Sequence, residues 1–424
     1  VGWPFSFHEY HGVGMSFLAL VPLLPLLTAL IVMTGDRAEQ DQNARAGLLP
    51  VAAAFLGSLI ALVAVTSGDP VTIQFYDTAS VANLAFPIGF YIDRLSAVMM
   101  VLITGVTMLI YRYSMGYMYQ DRGYRRYLGM LGITTAVLLC MVSSANLVML
   151  FVFWQILSWL LFLLAHNHGH AATLSGATNT FTMLRLSDAA FLAGIVLAYS
   201  LYGTFEVQTL FARAADTPVT LSLWPDLGWE MNGVTAVTLL IFVGSMGKSA
   251  QFPIHTWLPR SLYAPTPIHA LLHAGIINAG GFLLNRLAPL YGLSPTTLHV
   301  VFVIGMLTAI LGATMMLTQN DIKKTLGFST IGQMGYMIME CGLGAFSLAV
   351  FHLIAHGLFK GTVFLNCGNV VHKARQEPSF PPIDREAEES EFSNLTWSTG
   401  FLTTLLLPLV ILLGTVPITL FFVF

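Results

Sequence analysis

The stretch "VTAVTLLIFVGSMGKSAQFPIHTWLP", residues 234–259, holds Lys248 near the middle of an apolar run. An ammonium in hydrocarbon is costly, so ionisable groups at that depth face a bundle interior or a water-filled cavity and mark functional sites. Composition identifies hydrocarbon as the solvent. The 424 residues are 56% hydrophobic and only 9% charged, with a mean hydropathy of +0.74, too apolar to cover a soluble globule. The sequence therefore predicts an all-α polytopic membrane protein, in which each backbone polar group is satisfied within its own helix.

Runs of about 20 apolar residues, the length that crosses a bilayer core, recur at 15–33, 48–66, 90–112, 127–143, 145–165, 178–202, 233–257, 265–288, 297–318, 323–341, 344–371 and 396–420, about twelve spans in all. Span seven carries Pro253 five residues beyond Lys248, which predicts a helix break beside the charge. Span eleven is long and carries Gly357 and Gly361 among polar side chains, predicting a second broken helix where it lines a polar cavity. The strand-like "VTIQFY" within 67–89 and the long connection 203–232 read as ordinary outer caps. Segment 373–394, acidic and interrupted by proline, reads as a solvated linker or as a docking site for a cytoplasmic partner. No cleavable leader is expected, because the first apolar run is long and continues into a multi-span pattern; the start at Val1 and the stop in "ITLFFVF" leave trimmed ends open.

Orientation follows from the basic residues. Loops after odd-numbered spans hold Arg37, Arg45, Arg112, Arg122, Arg125, Arg126, Arg260, Lys323, Lys324, Lys373, Arg375 and Arg385. Opposite loops and helix ends hold Arg94, Arg213 and Arg286. The amino terminus is thus predicted outside, as expected for a multi-pass protein of a bacterial inner membrane. Of the 18 basic side chains, Arg185, Lys248 and Lys360 remain at membrane depth. The formal charge of −3 implies neither a nucleic-acid partner nor a polybasic lipid-binding tail. Cys140, Cys341 and Cys367 have no pairing pattern and read as small core residues.

Other polar groups collect in the same spans. Gln155 sits centrally in span five, while Arg185 and Asp188 in span six are three residues apart, a spacing that lets them pair. That pair serves either function or simply the insertion of a charged helix. In span eight His269 and His273 share a face, with Asn278 further along; in span eleven His352, His356 and Lys360 form a stripe at i, i+4 and i+8. Histidines four apart can ligate zinc, but no carboxylate or thiolate lies close in sequence and lysine is the third member. Titratable groups repeating at helical period over three spans favour a proton pathway over packing alone. Burial favours the neutral amine of Lys248 and a nearby carboxylate favours the ammonium, so moving the partner charge toggles the proton. "HNHGH", with His166, His168 and His170, reads as interfacial histidines, as proton collectors at the cytoplasmic mouth, or as a metal site.

"GKSAQFPIHTWLP", "APTPIHALLHAG", "NDIKKTLGFSTIGQMGYM" and "HLIAHGLFKGTVFL", in that order, resemble the antiporter-like subunits shared by respiratory complex I and multisubunit cation/proton antiporters. The resemblance covers roughly residues 90–372. It implies a three-helix segment (1–126), a first five-helix repeat (127–290) and a second, inverted and incomplete repeat (296–424). It also matches Lys248, His273, His352, His356 and Lys360 to the family's proton pathway. Gln155 stands where the family carries a glutamate, Arg260 where an acid commonly follows "TWLP", with Tyr263 two positions before "PTP", and the last span has no charged residue. These departures point away from an ordinary proton pump.

"LHAGIINAGGFLLNRLAPLYG" resembles the membrane subunit of the DAB inorganic-carbon accumulation complex. That resemblance implies a cytoplasmic zinc-containing partner related to β-carbonic anhydrases, which hydrates CO2, and a membrane subunit that couples entry of protons or Na⁺ to it. No cofactor is expected in this chain, which is not itself expected to be an enzyme; zinc belongs to the partner. Asp188 is the expected charge acting on Lys248, directly or through Arg185. A subunit of an antiporter or respiratory complex, and a membrane scaffold that only anchors a soluble enzyme, are the other readings.

Overall fold

In hydrocarbon only intrahelical bonding satisfies the backbone, and the apolar runs become helices accordingly. The computed structural model describes residues 16–36, 39–81, 84–119, 123–165, 171–224, 229–261 and 266–376. After a short 3₁₀ turn come α1 (Leu24–Thr34), α2 (Gln40–Ser67), α3 (Arg94–Tyr117), α4 (Tyr124–Val142), α5 (Leu147–Ala165), α6 (Ala171–Tyr202), α7 (Val207–Asp216) and α8 (Gly233–Lys248). They continue as α9 (Trp257–Arg260), α10 (Thr266–Leu271), α11 (Ala279–Arg286), α12 (Ala288–Gly292), α13 (Pro295–Leu317), α14 (Ile322–Gly342) and α15 (Phe346–Gln376). Among the described residues seven helices are long and apolar enough to cross a membrane: α2 to α6, α13 and α15. Short apolar α1 and α8, divided span eight and the more polar α14 account for the other runs up to the eleventh. Span twelve, the acidic segment 377–394 and the "HNHGH" cluster lie outside the described residues, as does Tyr263.

Helix starts are legible in the residues that cap them. Asp93 accepts the Ser96 N–H at 2.8 Å before α3, Asn232 the Val234 N–H at 2.9 Å before α8, and Asp321 the Lys324 N–H at 3.0 Å before α14. Two antiparallel hairpins, β1 (Val71–Val81) with β2 (Leu84–Ile92) and β3 (Thr220–Trp224) with β4 (Trp229–Asn232), fill the connections read as outer caps. Arg286 is the last residue of α11 and is buried there, 5% exposed. It pairs with Asp93 at 2.8 Å and donates to Ser96 Oγ and, at 2.8 Å, to the Val142 carbonyl. This ties α11 to the start of α3 and the end of α4.

The break in span seven is present: α8 stops at Lys248, Ala250 adopts φ +47°, and the chain turns through Ile254–Thr256 into α9. The break expected in span eleven is not. Helix α15 runs continuously past Gly357 and Gly361, because a helical glycine costs only about 1 kcal/mol relative to alanine, too little to open a turn whose alternative is unbonded backbone in hydrocarbon. Span eight is divided instead, by a π-helical turn at Leu272–Ile276 between α10 and α11.

Helices α13 and α14 approach backbone to backbone. A Cβ on Gly312 would lie 2.3 Å from the Gly332 nitrogen, one on Gly335 2.3 Å from the Ala309 nitrogen, and one on Gly305 2.4 Å from the Met339 nitrogen. Small residues that admit such contact replace the missing hydrophobic drive between helices in lipid. Gly335→Val should therefore lower stability by about 1–3 kcal/mol or more through overpacking, seen as earlier thermal unfolding in detergent. Gly116→Ala within α3, where an added Cβ meets nothing within 4 Å, should not lower stability and should raise it by up to about 1 kcal/mol.

Candidate functional site

Lys248 ends α8 facing α5. Its Nζ donates to the Trp154 carbonyl at 3.0 Å and to Ser158 Oγ, and sits 4.7 Å from the centroid of the Trp154 ring. A desolvated cation is stabilised over an indole face. The same indole donates its N–H to Asp188 Oδ1 at 2.6 Å, and Asp188 pairs with Arg185 at 2.8 Å. Arg185 in turn donates to Gln155 Oε1 and lies 5.0 Å from the Phe181 ring. The order of contacts is Gln155, Arg185, Asp188, Trp154, Lys248, Ser158. Lys248 is 1% exposed and Asp188 2% exposed, so their fields act through protein and not through water. The link between Asp188 and Lys248 runs through Trp154, whose neutral side chain gave no signal in the sequence; Gln155 solvates the arginine instead of facing the lysine.

The second group lies between α14, α15 and the π turn. His352 Nδ1 meets Glu340 Oε1 at 3.0 Å and its Nε2 meets Gln333 Oε1 at 3.0 Å. One turn on, His356 is buried with neither ring nitrogen bonded to protein, and a further turn on Lys360 donates to Ser329 Oγ. Phe364, the next turn of the same face, stacks flat on His273, with centroids 4.3 Å apart and planes 8° apart, and lies 5.9 Å from His269. The π turn projects His273 into this position; such turns recur at functional sites. Both His273 nitrogens are buried without a protein partner, an arrangement that water in a polar cavity would complete.

The two groups meet where α8 ends. Ser249 Oγ donates to the Ile277 carbonyl at 2.9 Å, and the Trp257 indole donates to the Gly247 carbonyl at 2.9 Å. The broken ends of spans seven and eight are therefore bound to each other between Lys248 and His273. Five contributors escaped sequence reading: Trp154, Ser158, Ser329, Gln333 and Glu340. Glu340 was findable, since an acid inside "GYMIMECG" obeys the same rule that singled out the buried lysines. Among the described residues no three His, Cys, Asp or Glu side chains cluster closely enough to hold a metal.

The family described as "NADH:quinone oxidoreductase/Mrp antiporter, TM" matches residues 144–424, and that described as "NADH-Ubiquinone oxidoreductase (complex I), chain 5 N-terminus" matches residues 79–128. The protein described as "Probable inorganic carbon transporter subunit DabB1" from Halothiobacillus neapolitanus is 42% identical over 94% of this chain and 70% of its own length. NADH-quinone oxidoreductase subunit L of Neisseria meningitidis is 34% identical over 84% of this chain and 54% of its own length; the chain spans about half of that relative. In fold, a chain of the Mrp complex from Dietzia is similar with TM-score 0.76 and 23% identity, over 91% of this chain and 42% of that one. A chain of the archaeal membrane-bound sulfane sulfur reductase gives TM-score 0.71 at 19% identity, over 95% of this chain and 81% of that one.

Removing the indole N–H leaves a buried carboxylate oxygen short of a donor, which costs about 1–3 kcal/mol. Trp154→Phe should lower thermal stability by that order in detergent, whereas Trp159→Phe, at a side chain 52% exposed, should change it little.

Proposed function

The chain belongs to the NADH:quinone oxidoreductase/Mrp antiporter family of membrane subunits, and from that premise we propose that it is the membrane subunit of an inorganic-carbon accumulation complex. In this reading protons, or Na⁺, run down their gradient along the buried polar groups. Their passage energises one-way hydration of CO2 to bicarbonate in a cytoplasmic, zinc-containing, carbonic-anhydrase-like partner. The amino terminus lies outside a bacterial inner membrane. Lys248, His269, His273, His352, His356 and Lys360 carry or gate the ion; Arg185, Asp188 and Gln155 set the charge seen by Lys248.

One observation carries the proposal: a lysine 1% exposed at the broken end of α8, linked by Trp154 to a buried carboxylate, in a chain whose 42%-identical relative is described as a carbon-transporter subunit. A proton arriving on the amine makes an ammonium that Asp188 stabilises; a proton leaving frees the Trp154 carbonyl and Ser158 from a cation. Each change alters the contacts that hold α8 to α5, which gives a route from ion passage to helix position. Catalysis of CO2 hydration resides in the partner, where zinc supplies the metal-bound nucleophile.

A second reading, a subunit of a cation/proton antiporter or respiratory-type complex, draws on the 34% identity to a quinone oxidoreductase subunit. Purification from membranes in mild detergent separates the two. A large soluble zinc protein in defined ratio supports carbon uptake; other antiporter-like subunits without zinc support the second reading.

Lys248→Ala should abolish growth at ambient CO2 while leaving the partner bound; full activity would instead mark the chain as a scaffold that only anchors the enzyme. Asp188→Asn should lower complex-dependent bicarbonate accumulation at least tenfold, and unchanged accumulation would remove Asp188 from the mechanism.

A further inference from the structure

Glu340 is a half-buried carboxylate whose ion-pair partner is not a permanent cation. Asp188 is paired with Arg185 and Asp93 with Arg286, and an arginine is a permanent cation. Glu340 is paired with a histidine, a side chain that can be neutral imidazole or imidazolium. Its second oxygen, Oε2, is buried with no protein partner. With Gln333 Oε1 as the acceptor, the hydrogen-bond partners set the proton count of the pair. Gln333 Oε1 can only accept, so His352 Nε2 carries hydrogen; the 3.0 Å bond between Nδ1 and Glu340 Oε1 then needs one proton of its own. The pair therefore exists as imidazolium–carboxylate or as imidazole–carboxylic acid, two states that differ by moving one proton along one bond.

Position gives the pair a direction. Helix α14 begins at Lys323 and Lys324 and ends at Gly342, two residues past Glu340; on the orientation proposed above, Glu340 lies at the outer end. The side chains of Glu340 and His352 are each 15% exposed, while His356 and Lys360 deeper along α15 are 5% and 2% exposed. We propose that Glu340 and His352 form the outer proton-loading site of the axis, with Glu340 as the acid that takes a proton from outer water. The step balances. Starting from imidazolium–carboxylate, the N–H bond at His352 Nδ1 breaks as its proton leaves for His356; an O–H bond then forms on the bare carboxylate from hydronium, giving imidazole–carboxylic acid, and breaks as the N–H bond at Nδ1 re-forms. The departing Nδ1 proton crosses one bridging water to the unprotonated nitrogen of His356, whose ring centroid is 6.4 Å away and whose ring nitrogens are bonded to no protein atom. The site thereby restores, on span ten, an acid that Gln155 denies to span five.

This inference rests on the proposed ion-conducting role, and the test separates the two. The whole complex is reconstituted in proteoliposomes with an internal pH-sensitive dye and given an inward proton gradient. Glu340→Gln should lower proton influx at least tenfold and Glu340→Asp should recover much of it. Influx within twofold of wild type in Glu340→Gln, with Lys248→Ala inactive, overturns the loading site and leaves the conducting role standing. Equal influx in wild type and Lys248→Ala overturns the conducting role and the loading site with it. A measurement on the unmutated complex covers a variant that fails to fold: a membrane-soluble carbodiimide, which reacts with protonated carboxyls, should leave its N-acylurea adduct on Glu340 and block influx, and absence of that adduct overturns the proposal.

Discussion

A cation removed from water has to be solvated by protein atoms, and a single helix supplies them for Lys248. The Trp154 carbonyl, the Ser158 hydroxyl and the Trp154 ring all belong to α5. A buried charge stripped of such partners costs several kcal/mol, so α5 and the end of α8 cannot separate while the lysine is charged. The rest of the first polar group is arranged around that fact. Asp188 on α6 reaches the same indole, which makes Trp154 a shared element between an anion and a cation that need not touch.

Much of this was legible in the sequence. Spans one to eleven follow from runs of apolar residues, since hydrocarbon leaves helices as the only way to satisfy the backbone. The lysines, histidines and the Arg185–Asp188 pair stand out because polar groups in such runs are expensive. Their partners are different: Trp154, Ser158 and Ser329 are ordinary residues for a membrane helix, and only their placement makes them ligands for a cation. Glu340, an acid inside "GYMIMECG", carries the same cost and was equally legible. The π turn in "LLHAGIIN" has no residue that forces it; the stacking of His273 on Phe364 is a tertiary contact between segments about ninety positions apart. Gly357 and Gly361 suggested a break that α15 does not show, since the preference of glycine for non-helical backbone is too small to open the helix.

The polar side chains fall into two groups, one about Lys248 and one along α14 and α15, joined where Ser249 holds the Ile277 carbonyl. That junction is built from two interrupted helices. Interruptions at membrane depth are tolerated where protein or cavity covers the free backbone groups, and here each covers the other. Continuity between the groups depends on main-chain segments that side-chain titration can reach from both directions.

The glycine contact between α13 and α14 bears on where motion can occur. Backbones that touch at Gly305, Gly312 and Gly335 have no side-chain layer to slide over, because protein interiors shift between discrete packings and do not shear smoothly. The pair is mechanically a stator. On the proposed conducting role, displacement accompanying ion passage would be taken up by α15, riding on side-chain contacts against that fixed rail, and by the short, interrupted pieces α9 to α11.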